Sequence, residues 1–233
     1  MFYRKIISTA DGSATILIPE WDESYHSRHG AVREAFHVFI RNGLDLIPDQ
    51  KEEISVLEIG FGTGLNALIT LYESIRRNQN IHYIGIEKYP VSETEFSALN
   101  YSQSLKEFDP SLIPDQKEAE NYYKALMNAG WEITHPLNPG FCLHKIQADF
   151  LEYDYPAQKF NLIYFDAFGA RVQPELWTEI LFDKLYKALV PGGIFTTYSA
   201  KGSVRRALAA VGFSVEKRPG PPGKREMLVA FKR

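Results

Sequence analysis

The sequence predicts an α/β protein: a doubly wound, mostly parallel sheet covered by helices and closed by a C-terminal antiparallel hairpin. Three observations lead there. From residue 54 onward, short apolar runs alternate with stretches of helical periodicity, which is the rhythm of a parallel sheet. A glycine-rich segment, Gly60-Phe61-Gly62-Thr63-Gly64, stands where the first of these runs gives way to a helix. The last two apolar runs, 213–215 and 227–231, are joined by a Pro/Gly-rich segment that no helix can occupy, so they pair as a hairpin.

The elements follow in order. Residues 2–8 and 14–18 read as a hairpin turning at Asp11-Gly12. After the polar stretch Tyr25-His26-Ser27-Arg28-His29-Gly30, Val32, Phe36, Phe39 and Ile40 recur at helical spacing, and Gly43 ends the pattern. Strands are expected at 54–59, 81–86, 141–146, 161–165 and 193–198, and helices at 64–77, 91–105, 174–189 and 202–211. Residues 107–140 break the rhythm and read as a small helical insertion, with a helix over 115–129 stopped by Gly130. We read 1–50 as an N-terminal hairpin-and-helix extension and 51–233 as the main unit, the whole treated as one domain.

Bulk properties narrow the field. At 45% hydrophobic and 24% charged residues the chain is an ordinary globular protein. No apolar run approaches the ~18 residues that cross a bilayer, so no membrane partner is expected. The first residues are too short and mixed for a signal peptide. Cys142 is the sole cysteine, which excludes an internal disulfide and points to the cytoplasm.

The glycine segment permits a tight strand-to-helix turn and close approach of a ligand. Its neighbours choose the ligand. A dinucleotide pyrophosphate wants amide donors and positive potential, whereas Glu58 stands two residues before the first glycine. A carboxylate there favours a cationic ligand such as S-adenosylmethionine. Glu87 ends the second strand and is placed to accept from both ribose hydroxyls. Asp149 follows the next strand and is placed to accept from an adenine amino group. The plainer readings are a solvated strand-end carboxylate for Glu87 and a turn residue for Asp149.

Asn161-Leu162-Ile163-Tyr164-Phe165 is an apolar strand that runs into Asp166-Ala167-Phe168. A carboxylate at that place orients an amine nucleophile and takes its proton, and Asp166 is the candidate catalytic residue; capping its own loop is the plainer role. Phe168 is placed to stack on a ring or simply to pack a wall. Methylation of a pyrimidine ring carbon calls for a cysteine nucleophile, and Cys142 lies inside a strand as a core residue, which favours N- or O-methylation. No group of residues has metal-ligand spacing. From Lys201 to Arg233, nine basic and two acidic residues leave a local excess of +7 in a chain of net charge −3. That asymmetry suits a polyanion, although a solvated surface accounts for charge runs as well.

Taken together, Gly60 through Asn66, Glu87-Lys88-Tyr89-Pro90, Phe165-Asp166-Ala167-Phe168, Pro174-Glu175-Leu176-Trp177 and the closing segments around Arg205-Arg206 and Lys224-Arg225 resemble one family. It is the methyltransferase domain of the bacterial enzyme that makes 5-methylaminomethyl-2-thiouridine at the wobble position of tRNA. The resemblance implies S-adenosylmethionine as cofactor, held by Glu58, Gly60, Phe61, Gly62, Gly64, Asn66, Glu87, Lys88, Asp149 and Asp166. It implies a tRNA partner, with Phe168 and Trp177 on the uridine side and Arg205, Arg206, Lys224 and Arg225 toward phosphate. Well-known members of that family are fusions with a C-terminal FAD-dependent oxidase. This sequence ends at Arg233, so the expectation is a stand-alone methyltransferase without FAD or metal, supplied with its aminomethyl substrate by a separate enzyme. The loop Gly169-Ala170-Arg171-Val172-Gln173 departs from the family pattern on the substrate side. The competing expectations are a small-molecule amine methyl- or aminopropyltransferase and a non-catalytic RNA-binding protein of this fold.

Overall fold

The computed structural model describes residues 3–48, 53–113 and 115–233. Phe2, where the first expected strand begins, and the 50/51 boundary lie outside the described residues. A three-stranded antiparallel sheet opens the chain: β1 (Lys5–Ser8), β2 (Ala14–Ile18) and β3 (Glu23–Ser24). The short β3 was not anticipated, because two residues carry no periodic signal. Helix α1 (Ala31–Ala35) continues as a π-helical turn, Phe36–Arg41.

The main body is β4 (Glu53–Ile59), α2 (Leu65–Arg77), β5 (Asn80–Ile86), α3 (Glu93–Ser97), α4 (Tyr101–Phe108), α5 (Gln116–Asn128), β6 (Thr134–Asn138), β7 (Phe141–Ile146), β8 (Phe160–Phe165), α6 (Glu179–Ala188), β9 (Leu189–Thr197), α7 (Gly202–Ala210), β10 (Ser214–Pro219) and β11 (Glu226–Phe231). The eight strands of this sheet lie in the order β10-β11-β9-β8-β4-β5-β7-β6. The five central strands are parallel; β11 and β10 close one edge antiparallel and β6 the other. The chain leaves β4 for β5 and β7 on one side and returns to β8 and β9 on the other. The reversal falls between β4 and β8, where ligand crevices of open sheets form. Among the described residues no helix is long and apolar enough to cross a membrane.

Three expectations are corrected. The single helix over 91–105 is two helices, α3 and α4, because Asn100 leaves helical geometry to hold the N-terminal hairpin: its Oδ1 accepts from Ala14 N at 2.7 Å and its Nδ2 donates to Gly12 O at 3.1 Å. Ser92 starts α3 with a capping box to Glu95. The helix over 174–189 begins as a 3₁₀ turn, Pro174–Trp177, and Thr178 is extended before α6 starts. The insertion over 107–140 is not wholly helical: its end forms β6 and lengthens the sheet.

Under the glycine segment, one cation is buried without a carboxylate. Lys145 in β7 is 1% exposed, and its Nζ donates to Met127 O at 2.6 Å. The ammonium also lies 4.8 Å from the centre of the Trp131 ring and 5.6 Å from that of Phe61. Burial pulls its pKa down to about 8. This contact ties α5 to the sheet beneath Phe61, with cation–π attraction offsetting part of the desolvation. The folded chain releases this proton near pH 8, while an unfolded lysine keeps it to about pH 10.4. Stability relative to a Lys145→Met variant therefore rises with pH between those limits, by at most about 1.4 kcal/mol per pH unit. Urea denaturation of both proteins at several pH values measures it; parallel curves would show that the ammonium is not desolvated.

Candidate active site

A cavity of about 250 Å³ opens over the carboxyl ends of the parallel strands. Its floor is the turn after β4, where Gly60, Phe61, Gly62, Thr63 and Asn66 line it, together with Glu87-Lys88-Tyr89 after β5, Asp149 after β7 and Asp166-Ala167-Phe168 after β8. The backbone explains the glycine at 60: φ is 91°, and a Cβ would lie 2.7 Å from Asp166 O. The strand end carrying Asp166 and the glycine turn thus press directly on each other, and Asp166 N donates to Ile59 O at 2.9 Å. Behind the turn, Tyr101 OH donates to Thr63 Oγ1 at 2.9 Å and Tyr123 OH to Thr63 O at 3.0 Å, so α4 and α5 hold the loop in place.

Asp166 is the centre of a hydrogen-bonded set. Asn66, in the first turn of α2, donates its Nδ2 to Asp166 Oδ2 and to Glu58 Oε1, both at 2.8 Å. The second oxygen of Glu58 accepts from Tyr83 OH at 2.8 Å. Desolvation, helped by the Glu34 carboxylate, pushes the pKa of Asp166 up to about 7 against the Asn66 amide and the Lys224 ammonium. Burial raises Glu58 well above the usual carboxylate range. Glu87 accepts from Gly62 N at 3.1 Å and Tyr89 N at 2.8 Å, and burial raises it too. Asp149 accepts from Leu151 N at 2.9 Å and pairs with Lys88 Nζ at 2.6 Å, which holds it below its usual value.

The structure brings Gly60, Phe61, Gly62, Asn66, Glu87, Lys88, Asp149, Asp166 and Phe168 to one cavity and sets the rest outside its lining. Glu58 is fully buried beneath Asn66 and does not line the cavity. Gly64 faces α5, where a Cβ would meet Met127 Sδ at 2.6 Å. Trp177 is buried in the wall and donates its Nε1 to Phe168 O at 2.8 Å, so it holds the Phe168 backbone from behind. Arg205, Arg206 and Arg225 are exposed, away from the cavity, and make no ion pair among the described residues. Lys224 is turned inward, onto Glu34 at 2.7 Å. Cys142, half-buried within β7, is outside the cavity lining.

Sequence reasoning placed Tyr25 and His26 in a polar stretch ahead of a helix and named no other part of the roof. Trp21 and Tyr25 flank Phe168 edge-on, with ring centres 5.4 and 5.0 Å away. Arg4 lies over the Tyr25 ring and donates to Tyr89 O at 2.7 Å, pinning β1 to the end of β5. His26 lines the cavity, and burial pulls its pKa down to about 4. Tyr198, at the end of β9, was open to the strand-end rule that found Asp166. Nothing in the sequence marks Arg4 or Glu34.

Six carboxylates line the cavity, those of Glu23, Glu34, Glu87, Asp149, Asp166 and Glu175, against the two permanent cations Arg4 and Lys88. Asn66 Oδ1 is buried and has no partner among the described residues, which leaves an acceptor for an ammonium group. An acid-rich cavity with a spare acceptor fits a positively charged ligand and opposes a pyrophosphate. No group of residues that holds a metal ion occurs among the described residues.

Comparison with known proteins agrees with this geometry. Residues 140–233 match a family described as S-adenosyl-L-methionine-dependent methyltransferase. The chain is 34% identical over 213 residues to the tRNA 5-methylaminomethyl-2-thiouridine biosynthesis bifunctional protein MnmC of Aromatoleum aromaticum, an alignment covering 87% of this chain and 32% of that protein. It is 31% identical over 216 residues to the protein of the same name from Cupriavidus metallidurans, covering 91% and 32%. The chain thus spans about a third of the length of these curated relatives. The crystal structure of MNMC2 from Aquifex aeolicus superposes with a TM-score of 0.79 at 25% identity, covering 99% of this chain and 70% of that one. By the match over residues 140–233, the alignment to about a third of the MnmC proteins and the architecture shared with MNMC2, this chain is similar to the S-adenosyl-L-methionine-dependent methyltransferases and to one part of the MnmC proteins.

Proposed function

We propose that this chain methylates the amine of 5-aminomethyl-(2-thio)uridine at the tRNA wobble position, giving 5-methylaminomethyl-(2-thio)uridine, in the cytoplasm. The observation that carries the reading is Asp166: a carboxylate fixed by Asn66 at the inner end of an acid-lined cavity, beside the aromatic group Trp21, Tyr25 and Phe168. The aromatic rings supply a face for a planar base. The primary amine is the product of an earlier reaction, carried out by a separate enzyme.

S-adenosyl-L-methionine, when bound, supplies a methyl group on a positively charged sulfur. The residues that would hold it are the turn Gly60–Asn66, Glu87 for the ribose and Asp149 for the adenine side, with the spare Asn66 Oδ1 for the ammonium. Asp166 accepts a hydrogen bond from the substrate amine, orients its lone pair and takes up its proton. Desolvation, with the Glu34 carboxylate adding to it, keeps this carboxylate basic enough to act near neutrality. Arg205 and Arg206 on α7 and Arg225 on the β10–β11 turn make no ion pair among the described residues and are offered to tRNA phosphate.

The deciding experiment supplies the protein with S-adenosyl-L-methionine and tRNA rich in the aminomethyl nucleoside, followed by nucleoside mass spectrometry. A product one methyl group heavier is expected. An unchanged nucleoside would end the tRNA assignment and leave a small amine as substrate. Asp166→Asn is expected to lower kcat by roughly 10²–10⁴-fold. In the wild type, kcat/KM rises with pH through about 7, since the protonated carboxyl cannot accept. In Asp166→Asn that limb is lost, leaving only the titration of the substrate amine. Changing Arg205, Arg206 and Arg225 together to Gln raises KM for tRNA and flattens its log–log salt dependence by about 2–3. Binding of the methyl donor stays unchanged; an unaltered salt slope would move the tRNA contact elsewhere.

A further inference from the structure

Two charged residues that the proposed reaction does not use meet at the wall of the cavity. Glu34, in α1, lines it and is 7% exposed. Its Oε2 accepts from Ser27 N at 2.8 Å, and its Oε1 lies 2.7 Å from Lys224 Nζ. Lys224 arrives from the far end of the sequence, on the turn between β10 and β11. Its ammonium also sits 3.9 Å from the centre of the Tyr198 ring. Tyr198 OH in turn donates to Ala167 O at 2.8 Å, the carbonyl next to Asp166. The Lys224 side chain is 35% exposed. Its ammonium is held by a carboxylate and an aromatic face together.

We propose that Glu34 and Lys224 are a pair of positioning residues that balance the charge around Asp166, and that Lys224 acts through Asp166 instead of on tRNA phosphate. The groups facing Asp166 are drawn from every element packed around it. They are Glu58 on β4, Asn66 on α2, Tyr83 on β5, Tyr101 on α4, Tyr198 after β9, Glu34 and Lys224. Lys224 is the one cation in this set. Glu34 opposes a second negative charge beside it, and Lys224 favours one. Either charge alone biases the proton on Asp166; paired, they leave it free to pick up and release a proton near neutrality. The pair also joins the N-terminal extension to the C-terminal hairpin, so the site is complete only when both ends of the chain have docked.

The activity arm of the test rests on the function proposed above; the titration arm does not. In protein labelled with ¹³C at the aspartate carboxyls, the Asp166 signal is identified by its loss in Asp166→Asn, and its midpoint is followed by NMR. Lys224→Met is expected to move that midpoint up by about one pH unit and Glu34→Gln to move it down by a similar amount. The double variant returns near the wild type, and Lys224→Arg stays there. With aminomethyl tRNA, the rising limb of kcat/KM moves with the midpoint, while KM for tRNA and its salt dependence hold. Thermal melts check folding, and Lys224→Gln replaces the methionine variant should that one not fold. Midpoints unmoved in both single variants would overturn the proposal. So would a raised KM with a flattened salt slope in Lys224→Met, the behaviour of a phosphate contact. Failure of the wild type to methylate tRNA would remove the proposed function, and the NMR midpoints would still decide the role of the pair.

Discussion

The side-chain amide of Asn66 donates to two carboxylates at once, Glu58 on β4 and Asp166 after β8, at 2.8 Å each. These strands are neighbours at the point where the strand order reverses. The bond therefore fixes the first turn of α2 against both sides of the crevice. It also explains how two acids lie so close without a cation between them. Each is raised above its ordinary value, and a shared donor is what the arrangement requires. Tyr83 completes the set from below, so Glu58 has both oxygens satisfied inside the sheet while Asp166 keeps a face on the cavity.

The electrostatics of the site follow from this arrangement. Of the six carboxylates that line the cavity, Glu23, Glu34 and Asp149 are paired with Arg171, Lys224 and Lys88, so the excess of acid is carried by Glu87, Asp166 and Glu175. A cationic methyl donor and an amine both relieve that excess. Burial, with the Glu34 carboxylate adding to it, keeps Asp166 basic. The N-terminal extension contributes Arg4, Trp21, Tyr25 and Glu34, so it is part of the site and not an appendage to it.

The sequence was most legible where chemistry coincides with a strand end. Glu87 and Asp166 each close an apolar run, Asp149 follows one closely, and the glycine turn marks a strand-to-helix junction; all of these lie on the cavity. Reading failed where direction depends on distant partners. Glu58 was assigned to the ligand because it precedes the loop, but it sits one position inside the strand, on the side that faces Tyr83. Lys224 is expected toward phosphate by resemblance, and only its pairing with Glu34 of α1 shows where its ammonium goes. Asn100 broke a helix that periodicity drew as continuous, because its side chain is needed by a hairpin 86 residues earlier. Arg4 and Glu34 gave no signal, since nothing local distinguishes them from solvated surface charges.

The central claim is that a carboxylate held by Asn66 answers a cationic methyl donor, and calorimetric titration tests it directly. Binding of S-adenosyl-L-methionine near pH 7 is to be measured in buffers of differing ionisation enthalpy, for the wild type and Asp166→Asn. A positive charge in the cavity lowers the pKa of Asp166 from about 7, so binding to the wild type should release protons, and the variant should bind with little release. Binding whose enthalpy is independent of the buffer, or release that persists in Asp166→Asn, would contradict the account.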